Sequence, residues 1–390
     1  MTICEIMALA EKHAAWAIER RRDLHRVPEL DWDLPKTSRI VTDALDEMGI
    51  GYSRIRTGVV ALIQGKGPGR TVGLRADMDA LPVTEPDGCP FGSTHPGRMH
   101  ACGHDVHTAV LLGTARALLE CDFPGQVKLL FQPAEEADGG AEPMIEAGCM
   151  EDPHVDEVYG LHVMPYLPAG HIECREGALN AASDLVDITV YGRSGHGAYP
   201  DQSRDAIVCA AQLVTALQTL VSRNVSPLQT AVLSMGTIEG GTANNVICGQ
   251  VHMTGTLRTL SPELRAFLKD RICQAAQGVA QAMDCRAEVR LVPSYCALIN
   301  PPQYARGVLD TARELVGEDR THVKEASSMG AEDFAYYLLH APGAFYHLGC
   351  GFEGEGNAPL HAAGFRVNED CVQYGIAMQT ALTLKALGRR

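Results

Sequence analysis

Three apolar runs in the first half of this 390-residue chain each stop at side chains that carry chemistry, and that repetition restricts the fold more than any other feature. Thr71-Val-Gly-Leu-Arg-Ala76 leads into Asp77-Met-Asp79, Gln126-Val-Lys-Leu-Leu-Phe131 leads into Gln132-Pro-Ala-Glu-Glu136, and Glu157-Val-Tyr-Gly-Leu-His-Val163 carries His162 at its end. Short continuous apolar runs read as buried strands, and an α/β sheet binds its ligands beyond the carboxyl ends of such strands. The stretch Arg98-Met-His-Ala-Cys-Gly-His-Asp-Val-His107 adds three imidazoles, a thiol and a carboxylate just ahead of the helix-like run Thr108–Leu119. Cys102 and His104 stand two apart across a glycine, so a bent backbone can aim a sulfur and a nitrogen at one point, as a first-row divalent metal requires. Glu135 and Glu136 are adjacent carboxylates that repel unless a cation or a shared proton compensates. A metal is therefore expected, with one carboxylate coordinating it and the other holding the attacking water.

The flanking segments read as scaffold. Residues 1 to 49 predict two helices around the Pro-broken joint Arg26–Leu30, the second begun by Pro35 and ended by Gly49. Strand Gly58–Gln64 precedes the first of the three runs. From Asp184 the pattern changes to strand Leu185–Val190, helix Asp205–Val221, strands Thr230–Met235 and Val246–Thr254, a helix opened by Ser261-Pro-Glu263, and strand Ala287–Leu291. The order βαββαβ is that of a ferredoxin-like unit. It predicts an inserted domain over 184–294 within an outer α/β domain made of 1–183 and 295–390, which ends in strand Ala344–Leu348 and helix Cys371–Leu387.

Charge narrows the function. With a formal net charge of −15 and no long Lys/Arg run, a nucleic-acid or anionic-membrane surface is not expected, so the substrate should be small. No uninterrupted apolar stretch reads as long enough to span a bilayer. Thirteen cysteines without framework spacing point to reduced thiols and a cytoplasmic enzyme.

In sequence order, the motifs Arg75-Ala-Asp-Met-Asp-Ala-Leu-Pro82, His100-Ala-Cys-Gly-His-Asp105, Pro133-Ala-Glu-Glu136, Leu161-His-Val163, Gly195-His-Gly-Ala-Tyr-Pro200, Gly330-Ala-Glu-Asp-Phe334 and Leu360-His361 span nearly the whole chain. Together they resemble the hippurate hydrolase branch of the di-metal aminoacylase and carboxypeptidase family, to which auxin-conjugate hydrolases also belong. The resemblance implies an exopeptidase-like catalytic domain with a central mixed sheet flanked by helices, and an insert that acts as lid and dimerisation domain. It implies two divalent ions per subunit, bridged by Cys102 and completed by His104, Glu136, His162 and His361, with Glu135 as general base. Zn or Mn is favoured, and Co or Ni suits the same donors. Asp77 stands where the wider family commonly has a metal-binding histidine, and Cys102 where it has a bridging aspartate, so Asp77 and Asp79 are expected to orient ligands from behind. His196 is expected to act in catalysis, and Asn245 and Arg258 to bind substrate, from a lid loop that reaches the neighbouring subunit of a homodimer or higher oligomer.

The implied reaction is hydrolysis of small N-acyl amino acids to a carboxylic acid and a free amino acid. A dipeptidase or carboxypeptidase on the same site is the nearest alternative. A cysteine hydrolase using Cys102 would be inactivated by alkylation and indifferent to chelators. A metal sensor or store would have no use for a general base beside its ligands.

Overall fold

The computed structural model describes residues 1–137, 139–354 and 356–388. The chain opens with α1 (Ile3–His25), capped by Thr2 and Glu5 in a reciprocal box, and α2 (Pro35–Met48), begun by proline and closed by Gly49 in the left-handed conformation. There follow β1 (Tyr52–Ile55), β2 (Gly58–Gln64), β3 (Thr71–Asp77), α3 (His104–Leu118), β4 (Gln126–Gln132), α4 (Ala141–Glu146), β5 (Glu157–Pro168), β6 (Ile172–Cys174) and β7 (Gly177–Asn180). The middle of the chain forms β8 (Ala182–Tyr191), β9 (Gly195–His196), α5 (Ala206–Asn224), β10 (Ala231–Gly240), β11 (Val246–Ile247), β12 (Gln250–Thr259), α6 (Pro262–Ala282), β13 (Arg286–Pro293) and β14 (Leu298–Asn300). It ends with α7 (Pro302–Val316), β15 (Thr321–Val323), α8 (Phe334–His340), β16 (Gly343–Gly351) and α9 (Cys371–Leu387).

Contacts divide these elements into two units, one made of Met1–Leu179, Ile299–Ala326 and the chain from Asp333 onward, the other of Asn180–Leu298 and Ser327–Glu332. The larger unit is an α/β structure built on an eight-stranded mixed sheet of order β1-β2-β4-β3-β5-β16-β6-β15. Its central strands β4, β3, β5 and β16 run parallel and are buried on both faces, which is why they read as unbroken apolar runs. Helices α1, α3 and α9 pack against one another, and α3 is buried along almost its whole length.

The smaller unit has its own core and a four-stranded antiparallel sheet of order β10-β12-β8-β13, the ferredoxin-like arrangement of a βαββαβ chain. Helix α5 has the length and composition to cross a membrane, with a mean hydropathy of 1.4. Its stripe of Cys209, Ala210, Leu213, Leu217 and Leu220 is instead buried within this unit.

Three boundaries differ from the sequence expectation. Helix α3 starts at His104 rather than Thr108, because Gly103 takes φ 85° and turns the chain into the helix. A Cβ at Gly103 would lie 2.4 Å from the Val163 side chain, so only glycine fits there. Strand β5 runs on to Pro168, which leaves His162 inside a strand; it still lies two residues past Gly160, the last residue paired with β3, level with the carboxyl end of that strand. The stretch Val246–Thr254, expected as one strand, breaks at Cys248-Gly249: Val246 and Ile247 pair with His196 and Gly195, and β12 starts afresh at Gln250.

At the crossing of α1, α3 and α9, a Cβ on Gly113 would stand 2.4 Å from Ile376 Cδ1 and 3.1 Å from Ala17 Cβ. Gly113→Leu should therefore overpack this core and lower stability by about 1–3 kcal/mol. The expected result is a lower midpoint in denaturant titration; an unchanged midpoint would show that the helices can separate without penalty.

Candidate metal centre

The site grows out of strand ends and the start of one helix. Asp77 is the last residue of β3, Glu135 and Glu136 follow β4, His162 lies in β5, and Cys102 and His104 flank the Gly103 turn into α3. His361, at φ 65°, joins them because its backbone N–H donates to the Ala101 carbonyl at 2.9 Å. Donor atoms of Cys102, His104 and His162 lie within 4.8 Å of one another, as do those of Cys102, Glu136 and His361, and those of His104, Glu135 and Glu136. The five candidate ligands and the candidate base thus meet in one place, although they span 260 positions, from 102 to 361.

The donors are prepared for a cation. His162 donates from Nδ1 to the Val163 carbonyl at 2.8 Å, so Nε2, at 3.3 Å from Cys102 Sγ, keeps its lone pair. Burial and the neighbouring His107 hold this imidazole well below its usual pKa, and therefore neutral. Both ring nitrogens of His104 are buried without a hydrogen-bond partner; the nearest carboxylate oxygens, of Asp79 and Asp77, stand at 3.6 Å and 3.7 Å. Burial opposes a charge on His104, yet Asp77 and Asp79 outweigh it and push its pKa up to about 10. Burial together with Glu136 and Glu135 pushes the Cys102 thiol well above its ordinary pKa. Soft and borderline donors crowded among carboxylates fit divalent metal ions of the zinc type.

A buried network holds the donors in place. Asp79 accepts the backbone N–H of Glu135 through one oxygen and that of Glu136 through the other, both at 3.0 Å. These bonds fix the turn at Ala134, a buried residue at φ 60°, a conformation that carries strain outside glycine. The fully buried Arg75 donates to Gln132 at 2.9 Å, to Asp77 at 2.7 Å and to Asp333 at 2.7 Å. Asp333 in turn accepts the backbone N–H groups of Gly140 and Ala141, which close the loop carrying the two glutamates.

Sequence reading left out Arg75, Asp333 and His107. The Val163 N–H donates to His107 Nε2 at 2.8 Å, so the ring proton sits on Nδ1 and points at Asp77, 2.5 Å away. His107 is therefore a strut between β3 and β5, with no lone pair to spare. A cation in the middle of a buried strand was the available clue to Arg75; nothing local could pair it with Asp333, 258 residues on.

His196, Asn245 and Arg258 lie in the smaller unit. His196 and Val246 are paired across β9 and β11, and the Gly197 N–H donates to the Asn245 carbonyl at 2.8 Å, so two of the three share one loop pair. Arg258 lies on β12, where its guanidinium bonds the Thr256 hydroxyl.

Known proteins are similar to this chain over most of its length. A probable hydrolase of Synechocystis is 43% identical over 95% of this chain and 96% of its own length. An N-acetyldiaminopimelate deacetylase of Priestia megaterium is 37% identical over 93% of this chain and 96% of its own. Among solved structures, a dinuclear metal-binding M20 peptidase from Bacillus subtilis superposes with a TM-score of 0.85 at 32% identity, covering 97% of this chain and 99% of that one. A sequence model of peptidase family M20/M25/M40 matches residues 73–385, which include every donor described above. The chain belongs to that family of metal-dependent hydrolases.

Proposed function

We propose that this amidohydrolase cleaves the amide bond of small N-acyl amino acids, N-acetyl and hippurate-like compounds included. The observation that carries the reading is the Glu135-Glu136 turn: one carboxylate meets Cys102 and His361, and Asp79 holds its neighbour beside His104. The deacetylase named above acts, by its name, on an N-acetylated amino acid, which supports this substrate class.

Cys102, His104, Glu136, His162 and His361 would hold two divalent ions, Zn or Mn with Co or Ni as substitutes, and these would supply a lowered water pKa and a polarised carbonyl. Glu135 takes a proton from the attacking water as its oxygen bonds to the acyl carbon, then hands that proton to the nitrogen as the C–N bond breaks. Asp79 keeps Glu135 and Glu136 on diverging paths, and Asp77, braced by Arg75 and His107, stands behind His104. From the smaller unit, His196, Asn245 and Arg258 hold the tetrahedral oxyanion and the amino acid carboxylate. Buried Cys102, Cys121, Cys149, Cys174 and Cys209 carry free thiols, which supports a reducing cytoplasm.

Strand β10 forms an edge of the smaller sheet and leaves Val232 and Ile238 exposed. Pairing that edge with a second copy across a two-fold axis would cover it. We place His196 in the partner's active site within such a homodimer.

Glu135→Gln should keep its metal content and lose roughly 10²–10⁴-fold in kcat toward N-acetyl amino acids. Near-normal turnover would remove Glu135 from its role. A chelator should abolish activity and added divalent metal should restore it, with metal analysis run in parallel. Full activity of the apoprotein would return Cys102 to consideration as a nucleophile. Finally, inactive Glu135→Gln subunits exchanged with inactive His196→Ala subunits should regain activity, because one of the two sites in each heterodimer combines a sound base with a sound lid. Tagged heterodimers that stay inactive would show that His196 does not act across the interface.

A further inference from the structure

Outside the centre, the larger unit contains a second convergence of unlike donors. His25, near the end of α1, and Glu85 and Cys89, on the loop after β3, bring one nitrogen, one oxygen and one sulfur within 4.8 Å of one another. They line a cavity of about 460 Å³ whose wall also includes Phe91 and Phe365. None of the three belongs to the catalytic set.

Each donor is oriented from behind. His25 Nδ1 donates to Asp105 at 2.8 Å, which turns Nε2 toward Glu85 Oε1 at 3.0 Å. Glu85 Oε2 accepts the Ser93 backbone N–H at 2.6 Å, which fixes that carboxylate. A carboxylate behind an imidazole is how proteins set a histidine for metal binding. The nearest fixed cation, Arg21, is already matched by Asp105 at 2.8 Å and Glu369 at 3.1 Å, so its charge does not bar a second cation. Thiolate, neutral imidazole and carboxylate together carry two negative charges, which a divalent ion neutralises.

We propose that His25, Glu85 and Cys89 form a separate three-ligand site for a thiophilic divalent cation of the zinc class, with its fourth position open to the cavity. A thiolate and an imidazole select against Mg²⁺ and Ca²⁺, which take oxygen ligands. Binding displaces the thiol proton of Cys89 and the proton that His25 Nε2 shares with Glu85, and both leave to solvent. Because Asp105 follows His104 in the first turn of α3, this site and the catalytic donors rest on the same helix end. The proposal does not depend on which amide the enzyme cleaves.

The test is zinc stoichiometry on protein whose catalytic centre is already loaded. Equilibrium dialysis of the wild-type chain should find one further tightly bound equivalent, released by neither dilution nor Mg²⁺. Cys89→Ser and Glu85→Gln should each lose that equivalent while keeping the catalytic ions and turnover. His322→Ala, which breaks the half-buried His171/His322 pair at 2.8 Å, should keep it. With cobalt(II) in place of zinc, the further equivalent should add a thiolate charge-transfer band that Cys89→Ser lacks. Equal zinc binding by wild type and Cys89→Ser, or loss of the extra equivalent in His322→Ala alone, would overturn the assignment.

Discussion

The buried guanidinium of Arg75 is the interaction on which the rest of the centre depends. It sits in the middle of the sheet with no exposure, an arrangement that is unfavourable unless every charge around it is matched. Asp77 and Asp333 do the matching, and each extends the restraint outward. Asp77 reaches His107 and, through it, the backbone of β5 beside His162; Asp333 reaches Gly140 and Ala141 and so closes the glutamate loop. Burial works to protonate both carboxylates. Arg75, His104 and His107 overcome that at Asp77 and hold it well below its usual range, whereas at Asp333 burial prevails and the pKa rises. One cation thus orders segments that arrive from β3, β4, β5 and a point 258 residues downstream.

Asp79 performs a different task with the same economy. Two oxygens take two consecutive N–H groups, and the backbone bends at Ala134. Adjacent glutamates on a regular strand would point to opposite faces of the sheet. The turn at Ala134 instead brings a carboxylate oxygen of each within 4.8 Å of a ring nitrogen of His104.

How much of this was legible in the sequence follows from the range of each interaction. Buried strands declare themselves through continuous apolar runs, and the ferredoxin-like unit through its order of strand and helix, so both emerge from local pattern. Cys102, His104 and the glutamate pair were legible because incompatible groups packed into a few residues demand a common partner. A lone histidine is more often an ordinary core residue: His162 stood out because it ends a strand in register with the other motifs, and His361 only through the recurring family motifs. The start of α3 was misjudged because a left-handed Gly103 can open a helix without any side-chain cap. His107 and Asp333 escaped because their importance lies in long-range hydrogen bonds, which no window of neighbouring residues encodes.

The Val163 N–H that occupies His107 Nε2 sets the tautomer of that ring. Three imidazoles crowd this region, His107 stacking on His104 at 5.3 Å and meeting His162 edge-on at 4.6 Å, so a further coordinating nitrogen would be within easy reach. A backbone amide has no other partner to offer in that position, and by claiming the lone pair it subtracts one nitrogen from the pool that ions can compete for. The main chain of β5 thereby fixes which nitrogen of His107 carries the proton, so that among these imidazoles its ring serves as a spacer that can only donate toward Asp77.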